Sequence, residues 1–570
     1  MFVGSVETVG PITVERDREV VMRDGVVLRA DVYRPGNAAD LPVLVQRTPY
    51  DKSVYTELGV YYANAGYIFV MQDVRGQFAS GGVWEPFVNE ADDGFDTVAW
   101  AAALPGSDGR VGLVGTSYQG YSAWRAALLR PPALAAMACA VTPVDPYDWF
   151  FPGGAFSLAF AVTWLTRNVA SSAVAKLPDG AELSEAMTRA YDALGERWYR
   201  HLPLNEFPPL LPDRADVAPY FFEWINEHPI RDDYWRDLSL RGRLPEVQVP
   251  VLTMAGWYDV FVPAGVETFR ALRGAGAGDV AEGSRLVIGP WAHNGWSREL
   301  GEVDFGADAA RSFPGAVVAW MDHRLKGVTP ESEETPVRYF SMGDRTWRAA
   351  ETWPPEGFEP TRFLLRAGGA LAESGPGEDG PGEEPDHFVY DPSNPVPSVG
   401  GQSCCYTPQS SFGPYDQRAV ESRPDVLVYA TPPLTEPLEV AGGVRVELFA
   451  SSSAPDTDFT AKLVDIGPDS RAINLCEGIV RARHRDGTGT ERFLEPGRAE
   501  RFEIELQPTA NVFGVGHRVG VEISSSNFPT YDRNPNTGAP FGRSAALRTA
   551  RQTILHDAGH PSALILHVRR

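Results

Sequence analysis

From about residue 20 to residue 145, short apolar runs alternate with polar segments rich in turn-forming residues. The run 26–35 alternates like a strand, and the runs 42–50 and 67–76 are β-branched or aromatic and end in polar residues. Two further runs cover 110–117 and 136–144. Residues 89–104 and 118–129 instead repeat apolar positions at the spacing of a helix. Short buried strands that alternate with helices predict a mostly parallel, doubly wound sheet.

The pattern changes after residue 145 and later returns. Residues 145–240 contain five tryptophans, and 182–202 has a helical pattern over its whole length, so we predict an inserted helical cap. Buried-strand patterns resume at 249–259 and 285–293, with a helix at about 264–273 between them. The sheet is therefore predicted to be interrupted by the cap and then completed.

Beyond about residue 350 the pattern is typical of antiparallel strands. Apolar and polar residues alternate in four segments, 445–452, 459–466, 501–508 and 517–526. Strands of this kind, separated by turns, predict a β-sandwich or jelly roll. The acidic Gly/Pro stretch 373–386 is predicted to be a mobile, solvated loop. The predicted domains are 1–144 with 241–352 (the α/β domain), 145–240 (the helical cap) and 353–570 (the jelly roll).

Composition narrows the classes of partner. The 570 residues include 51 basic and 75 acidic side chains, for a net charge of −24. This charge argues against nucleic acid and anionic lipid as partners, because both are bound through Lys and Arg. Four cysteines are too few for a disulfide framework, and none has zinc-ligand spacing. We expect no signal peptide, no membrane span, no metal and a cytoplasmic location; the sequence leaves open a homodimer.

The segment 111–124 is the most informative for chemistry. A buried strand runs into Gly115-Thr116-Ser117-Tyr118-Gln119-Gly120 and then into a helix. This arrangement resembles the nucleophile elbow of α/β-hydrolases, in which a tight turn holds the serine clear of the sheet. The usual pattern is G-x-S-x-G, whereas here Gln119 stands at the place of the second glycine. A glycine-rich turn with an incidental serine is the alternative interpretation.

Two further residues complete a catalytic triad in the order of this fold, which is Ser, then Asp or Glu, then His. Asp259 and His293 each directly follow a predicted buried strand, and such sheets place their sites at the carboxyl ends of strands. We assign Ser117 as the nucleophile, His293 as the general base and Asp259 as the residue that orients it. The backbone N–H of Tyr118 is predicted to be an oxyanion donor. This chemistry requires no cofactor.

Motifs along nearly the whole chain resemble the X-prolyl dipeptidyl-peptidase/cocaine esterase family of serine hydrolases. They are RTPYDK (47–52), DVRGQFASGG (73–82), the elbow, AGWYD (255–259), GPWAH (289–293) and SSSNFPTYDRNPNTG (524–538). The resemblance implies that Tyr50 supplies the second oxyanion donor and that Trp149, Trp164 and Phe261 contact the substrate. It also implies an α/β hydrolase with a helical cap and a C-terminal jelly-roll domain.

Three functions remain open from the sequence. The first is a serine carboxylesterase that hydrolyses small, apolar or aromatic acyl esters through an acyl-enzyme. The second is α-amino-acid ester hydrolysis or X-prolyl dipeptidyl aminopeptidase activity, which requires pocket carboxylates for the substrate ammonium. After Asp259 no acidic residue occurs until Glu267, which favours the first function. The third is a catalytically degenerate glycan-binding protein.

Overall fold

The computed structural model describes residues 5–36, 39–211, 213–214, 216–275, 278–330, 335–374, 383–405 and 411–570. Most of the loop predicted at 373–386, namely 375–382, lies outside the described residues. The described helices include none that is long and apolar enough to cross a membrane.

The first sheet is formed by strands from the amino-terminal part of the chain. The strands of this part, including a separate hairpin formed by β10 and β11, are β1 (Val6–Val9), β2 (Ile12–Val21), β3 (Val27–Pro35), β4 (Leu41–Thr48), β5 (Ile68–Asp73), β6 (Ser107–Thr116), β7 (Leu134–Ala140), β8 (Val251–Tyr258), β9 (Arg285–Ala292), β10 (Glu299–Leu300), β11 (Val303–Asp304), β12 (Val337–Ser341) and β13 (Thr346–Ala350). Their order across the sheet is β1-β2-β3-β5-β4-β6-β7-β8-β9-β12-β13. The pairings from β5 to β12 are parallel, and those at both edges are antiparallel.

The predicted parallel sheet is therefore confirmed, and β1 and β2 extend it at an edge that the sequence patterns did not reveal. Strand β2 (ITVERDREVV) is half charged residues and β1 has only four residues, so neither has the continuous apolar pattern of the buried strands. Strands that pair antiparallel, as β1, β2 and β3 do, can leave one face in solvent, so a polar sequence suffices there.

Helices cover the sheet and form the segment between β7 and β8. The α-helices are α1 (Thr56–Asn64), α2 (Glu90–Ala102), α3 (Tyr118–Ala127), α4 (Pro146–Phe150), α5 (Leu158–Thr163), α6 (Ala170–Ala175), α7 (Gly180–Asp192), α8 (Pro219–Asn226), α9 (Asp233–Leu238), α10 (Val262–Ala275), α11 (Asp279–Gly283), α12 (Phe313–Lys326) and α13 (Arg418–Glu421). Six of them, α4 to α9, lie between β7 and β8, and no strand occurs among the described residues of that segment.

The helix predicted over 182–202 is wrong in its second half. Helix α7 ends at Asp192, and the chain then forms turns up to a short 3₁₀ helix at Trp198–Arg200. Gly195 stands three residues after the end of the helix, and glycine disfavours a helix interior by about 1 kcal/mol relative to alanine. Burial of Leu194 and Tyr199 in the cap core holds the turns in place.

The carboxyl-terminal part forms a second sheet. Its strands are β14 (Glu359–Arg366), β15 (Ala370–Glu373), β16 (Asp386–Tyr390), β17 (Leu427–Ala430), β18 (Leu438–Ser452), β19 (Asp458–Ile466), β20 (Ala472–Arg481), β21 (Glu500–Phe513), β22 (Arg518–Ser524), β23 (Ala550–Leu555) and β24 (Ala563–Arg569). Among the described residues the pairings are antiparallel except that between β15 and β17. Long strands with alternating burial, such as β18, follow the predicted sandwich pattern.

The β-rich part packs against both the cap and the end of the first sheet. In the cap, the backbone N–H of Phe156 donates to Asp532 Oδ1 at 2.8 Å, and Arg481 donates to the same oxygen. At the sheet, the Tyr258 hydroxyl donates to the carbonyl of Asn474 at 3.0 Å. Because Tyr258 is the last residue of β8, the β-rich part is held directly beside the residues that follow this strand.

Candidate active site

Ser117 lies on a sharp turn between β6, which ends at Thr116, and α3, which begins at Tyr118. Its backbone has φ 58° and ψ −128°, a conformation that costs a non-glycine residue about 1–3 kcal/mol. The turn is tight because a Cβ on Gly115 would lie 2.5 Å from the backbone carbon of Gln119. Strain of this kind persists only where the surrounding packing enforces it, and it is typical of a nucleophile elbow.

Gln119, which departs from the usual motif, anchors the elbow to the neighbouring strand. Its side-chain Oε1 accepts a hydrogen bond from Gln46 at 2.6 Å, and its Nε2 donates to Thr48 Oγ1 at 3.1 Å. Gly120 follows, where a Cβ would lie 2.1 Å from Thr142 Oγ1. The close approach that requires glycine is thus displaced by one position, and the glutamine ties the elbow to the end of β4.

Asp259 and His293 directly follow two neighbouring parallel strands. The last residue of β8, Tyr258, is in register with Ala292, the last residue of β9. His293 Nδ1 donates to Asp259 Oδ2 at 2.5 Å, and the other carboxylate oxygen accepts from the N–H of Phe261 at 2.8 Å. Asp259 is fully buried, and each of its two oxygens accepts a hydrogen bond from the protein. The carboxylate is therefore held in place, which fixes the orientation of the imidazole ring.

The described contacts include no hydrogen bond of the Ser117 hydroxyl. Ser117 follows β6, which is separated from β8 by β7 alone, so the serine and the Asp259–His293 pair lie at the same edge of the sheet. Catalytic hydrogen bonds are often long before substrate binds and tighten in the complex.

Tyr50 lies two residues beyond β4, at the same edge of the sheet. Its hydroxyl oxygen accepts a hydrogen bond from Trp164 Nε1 at 3.0 Å. Removal from water raises the pKa of the Tyr50 hydroxyl well above its ordinary value, so it keeps its proton. No described residue accepts that proton, which leaves the O–H free to donate to a substrate oxygen.

Tyr118 has separate roles for its side chain and its backbone. Its hydroxyl accepts from the N–H of Phe87 and donates to Glu90 Oε1, both at 2.9 Å, so the buried side chain is part of the core. Its backbone N–H belongs to the first residue of α3, where no acceptor exists within the helix. That N–H stands directly after Ser117, as an oxyanion donor requires.

The three aromatic residues expected at the substrate site form one continuous wall. Trp164, which donates to Tyr50, lies in a π-helical turn (Trp164–Val169) between α5 and α6, 5.3 Å from Trp149 between ring centroids. Trp149 packs edge-on against Phe261 at 5.0 Å, and Phe261 lies 5.5 Å from the ring of His293. The wall thus runs from Tyr50 to His293.

A cavity of about 1040 Å³ extends from this wall to the jelly-roll part. Its lining includes Trp149 and Phe160 of the cap, Phe261 after β8, and Ile479 and Tyr531 of the β-rich part. Ser117 and His293 do not line it, but Phe261, whose ring packs against that of His293, does. Among the described residues, no group of three or more His, Cys, Asp or Glu side chains could hold a metal ion.

Comparison with known proteins agrees with this arrangement. Residues 24–295 match the model of the X-Pro dipeptidyl-peptidase (S15) family, and residues 332–565 match that of the X-Pro dipeptidyl-peptidase C-terminal non-catalytic domain. The chain is 38% identical to the cocaine esterase of Rhodococcus sp. (strain MB1 Bresler), in an alignment that covers 98% of this chain and 99% of that protein.

Two solved structures resemble the whole chain. An aminopeptidase from a marine sediment Thaumarchaeota archaeon is 28% identical with a TM-score of 0.82, and the match covers 98% of this chain and 97% of that one. An α-amino acid ester hydrolase is 26% identical with a TM-score of 0.83, and the match covers 99% and 98%. The fold and these matches define a serine hydrolase with an α/β-hydrolase sheet and a jelly-roll domain. More narrowly, the chain belongs to the X-Pro dipeptidyl-peptidase S15 family, which confirms the resemblance inferred from its motifs.

Sequence reasoning missed two groups of residues at the site. The first is Arg241, which donates to Asp148 and Glu267 at 2.7 Å and lines the cavity with both of them. The second is the segment 402–405, which belongs to the β-rich part of the chain but contacts the residues beside Asp259 and His293. The adjacent cysteines 404 and 405 were the only visible signal, and nothing in the local pattern indicated where they lie.

Proposed function

We propose that the protein is a serine carboxylesterase that hydrolyses esters with a small, apolar or aromatic acyl group through an acyl-enzyme. The observation that carries the proposal is the Asp259–His293 hydrogen bond at paired strand ends, at the same sheet edge as the strained Ser117. These are the roles that acyl transfer requires: a nucleophile, a base and a group that orients the base.

In the proposed mechanism, His293 removes the proton of Ser117 as the serine oxygen attacks the ester carbonyl. Asp259 holds Nδ1 protonated, so that Nε2 is the basic nitrogen, and it stabilises the imidazolium that forms. His293 then returns the proton to the leaving alcohol, and water repeats the sequence on the acyl-enzyme. The tetrahedral oxyanion receives hydrogen bonds from the Tyr118 N–H and the Tyr50 hydroxyl.

We expect Tyr50→Phe to lower kcat by about 10²–10³-fold with little change in KM, because the lost hydrogen bond forms mainly in the transition state. The measurement is the steady-state hydrolysis of p-nitrophenyl butyrate. Tyr67→Phe is the matched control. It also removes a tyrosine hydroxyl, but this hydroxyl donates to Asp322, which is not one of the proposed site residues. An unchanged kcat in Tyr50→Phe, at wild-type stability, would exclude Tyr50 from the oxyanion site.

The charges in the part of the cavity beside Trp149 and Phe261 favour a neutral acyl group over an amino-acyl group. Asp148 and Glu267 line the cavity, but Arg241 binds both carboxylates. Asp145 is similarly paired with Arg231, at 2.5 Å. A substrate ammonium would need unpaired carboxylates, and these three are already compensated by arginine. On the β-rich side of the cavity, Glu503 pairs with Arg445 and Arg501, and Glu505 beside it takes part in none of the described salt bridges. The aromatic wall of Trp149, Trp164 and Phe261 suits an apolar acyl group instead.

The experiment that tests this proposal compares kcat/KM for acyl esters, amino-acid esters and Xaa-Pro amides under one set of conditions. We expect the highest value for aromatic and short aliphatic acyl esters. Arg241→Met, which frees Asp148 and Glu267, should shift the ratio towards amino-acid esters. A wild-type preference for amino-acid esters or Xaa-Pro amides would instead support the aminopeptidase-like alternative.

The division of the chain into 1–144 with 241–352, 145–240 and 353–570 is part of the same proposal, with the jelly roll completing the cavity wall. We also propose a cytoplasmic enzyme, with a small-molecule ester as its partner; homodimerisation is left to a measurement of mass in solution. The four cysteines are unbridged, as is usual in a reducing compartment.

A further inference from the structure

Cys404 and Cys405 form a pair of thiols at the active site. Their sulfur atoms are 3.0 Å apart, Cys404 is buried and Cys405 is partly exposed. Cys404 lines the cavity together with Phe261, and both thiols lie within electrostatic reach of the Tyr50 hydroxyl. The other two cysteines, 139 and 476, are buried separately.

The segment 402–405, which carries this pair, is hydrogen-bonded to residues next to Asp259 and His293. Gln402 Nε2 donates to the carbonyl of Trp257 at 2.9 Å, and the N–H of Ser403 donates to the carbonyl of Tyr258 at 3.2 Å. These carbonyls belong to the two residues before Asp259. The segment is therefore attached to the end of β8.

The same segment is also attached beside the base. Asn294 Nδ2, next to His293, donates to the carbonyl of Cys404 at 3.2 Å. This carbonyl belongs to the peptide bond between the two cysteines. A change in that peptide is therefore transmitted directly to the residue that follows His293.

We propose that Cys404 and Cys405 are a redox modification site. A small-molecule disulfide oxidises the two thiols to a disulfide bond between these neighbouring residues, and this bond lowers turnover by distorting the loop that carries His293. The activity readout rests on the proposed esterase function. Burial raises the pKa of Cys404, so the more exposed Cys405 is the thiol that reacts first.

The reaction balances as two thiol–disulfide exchanges. The Cys405 thiolate attacks one sulfur of the small disulfide, which forms a mixed disulfide and releases one small thiolate. Cys404 then loses its proton to solvent and its sulfur attacks that of Cys405, which releases the second small thiolate. Two protein thiols are oxidised, and one small disulfide is reduced to two thiols.

Closure of this ring must strain the backbone. Adjacent Cα atoms are about 3.8 Å apart across a trans peptide, whereas disulfides usually span at least about 4.4 Å. The peptide between the cysteines therefore has to distort, and it carries the carbonyl that Asn294 binds. Strained disulfides are also readily reduced, which makes the modification reversible.

The test treats the full-length protein with oxidised glutathione, blocks the remaining thiols with iodoacetamide and maps the peptides by mass. The expected peptide containing Cys404 and Cys405 has lost two hydrogen atoms and carries no alkyl group. We expect kcat to fall about 10- to 100-fold, since a displacement of about 1 Å can cost 100-fold, and to recover with a phosphine reductant.

Two variants control the experiment, each compared with its own reduced form. Cys405→Ser cannot close the ring and should lose no activity, whereas Cys476→Ala should respond like the wild type. Three outcomes would each overturn the proposal. Both thiols remain free after treatment, only a mixed disulfide with glutathione forms, or the disulfide between Cys404 and Cys405 forms and kcat is unchanged. If the reduced protein hydrolyses no ester, the proposed function fails. The peptide map then still shows whether the disulfide between Cys404 and Cys405 forms, and the rate at which a fluorophosphonate labels Ser117 shows whether that disulfide affects the site.

Discussion

Replacement of Ser117 by alanine is expected to lower kcat for p-nitrophenyl esters by about a millionfold. The nucleophile is then absent, so His293 and Asp259 have no hydroxyl to activate, and losses of this size follow removal of a triad serine. Alanine fits the same backbone turn, whose conformation is imposed by the close packing of Gly115 and Gly120. The variant should therefore fold, as circular dichroism and thermal unfolding will show.

Ser122→Ala is the matched control for this change. Ser122 lies in the same helix and its hydroxyl binds the carbonyl of Gln119 at 3.0 Å, so the control removes a serine hydroxyl near the elbow without removing the nucleophile. A fluorophosphonate should label the wild type on the peptide that contains Ser117. Turnover retained by a folded Ser117→Ala variant would refute the mechanism, and a complete lack of labelling in the wild type would support the glycan-binding alternative.

Asp259→Asn is expected to lower kcat by about 10⁴-fold while the fold is kept. Asparagine preserves the size of the side chain and can still accept from the N–H of Phe261. It cannot balance the charge of the imidazolium, and its amide group can present N–H towards His293 Nδ1, which favours the wrong tautomer. Steady-state kinetics with the same p-nitrophenyl ester measure the effect.

The cap supplies a control with almost the same geometry. His228 Nδ1 and Asp232 Oδ2 are 2.6 Å apart, compared with 2.5 Å for His293 and Asp259, but the former pair lies in the cap. Asp232→Asn keeps a residue type that can cap α9 and should leave kcat close to that of the wild type. Equal losses in both variants would show that the effect is structural and not catalytic.

The positions that follow buried strands can be predicted from the sequence because the signal is local. An apolar strand that ends in Gly115-Thr116-Ser117 predicts the sharp turn that follows it. The order of serine, aspartate and histidine is that of a known topology. The register of β8 with β9 then leaves Asp259 and His293 side by side, as two neighbouring parallel strands of matched length require. The second half of the helix predicted at 182–202 failed because cap packing, rather than local periodicity, decides that segment.

The chain's own sequence thus determined the parallel sheet, the jelly roll, the family and the identity of the proposed triad, since each depends on short patterns and their order. Only the tertiary structure decided that Trp164 binds Tyr50, that Arg241 compensates Asp148 and Glu267, and that Cys404 lies beside the triad. Trp164 and Tyr50 are 114 positions apart, Arg241 and Asp148 are 93 apart, and Arg241 and Glu267 are 26 apart, while Cys404 lies on a loop of the β-rich part. Local periodicity carries no information about such pairs, because they form only when separate hydrophobic surfaces pack together.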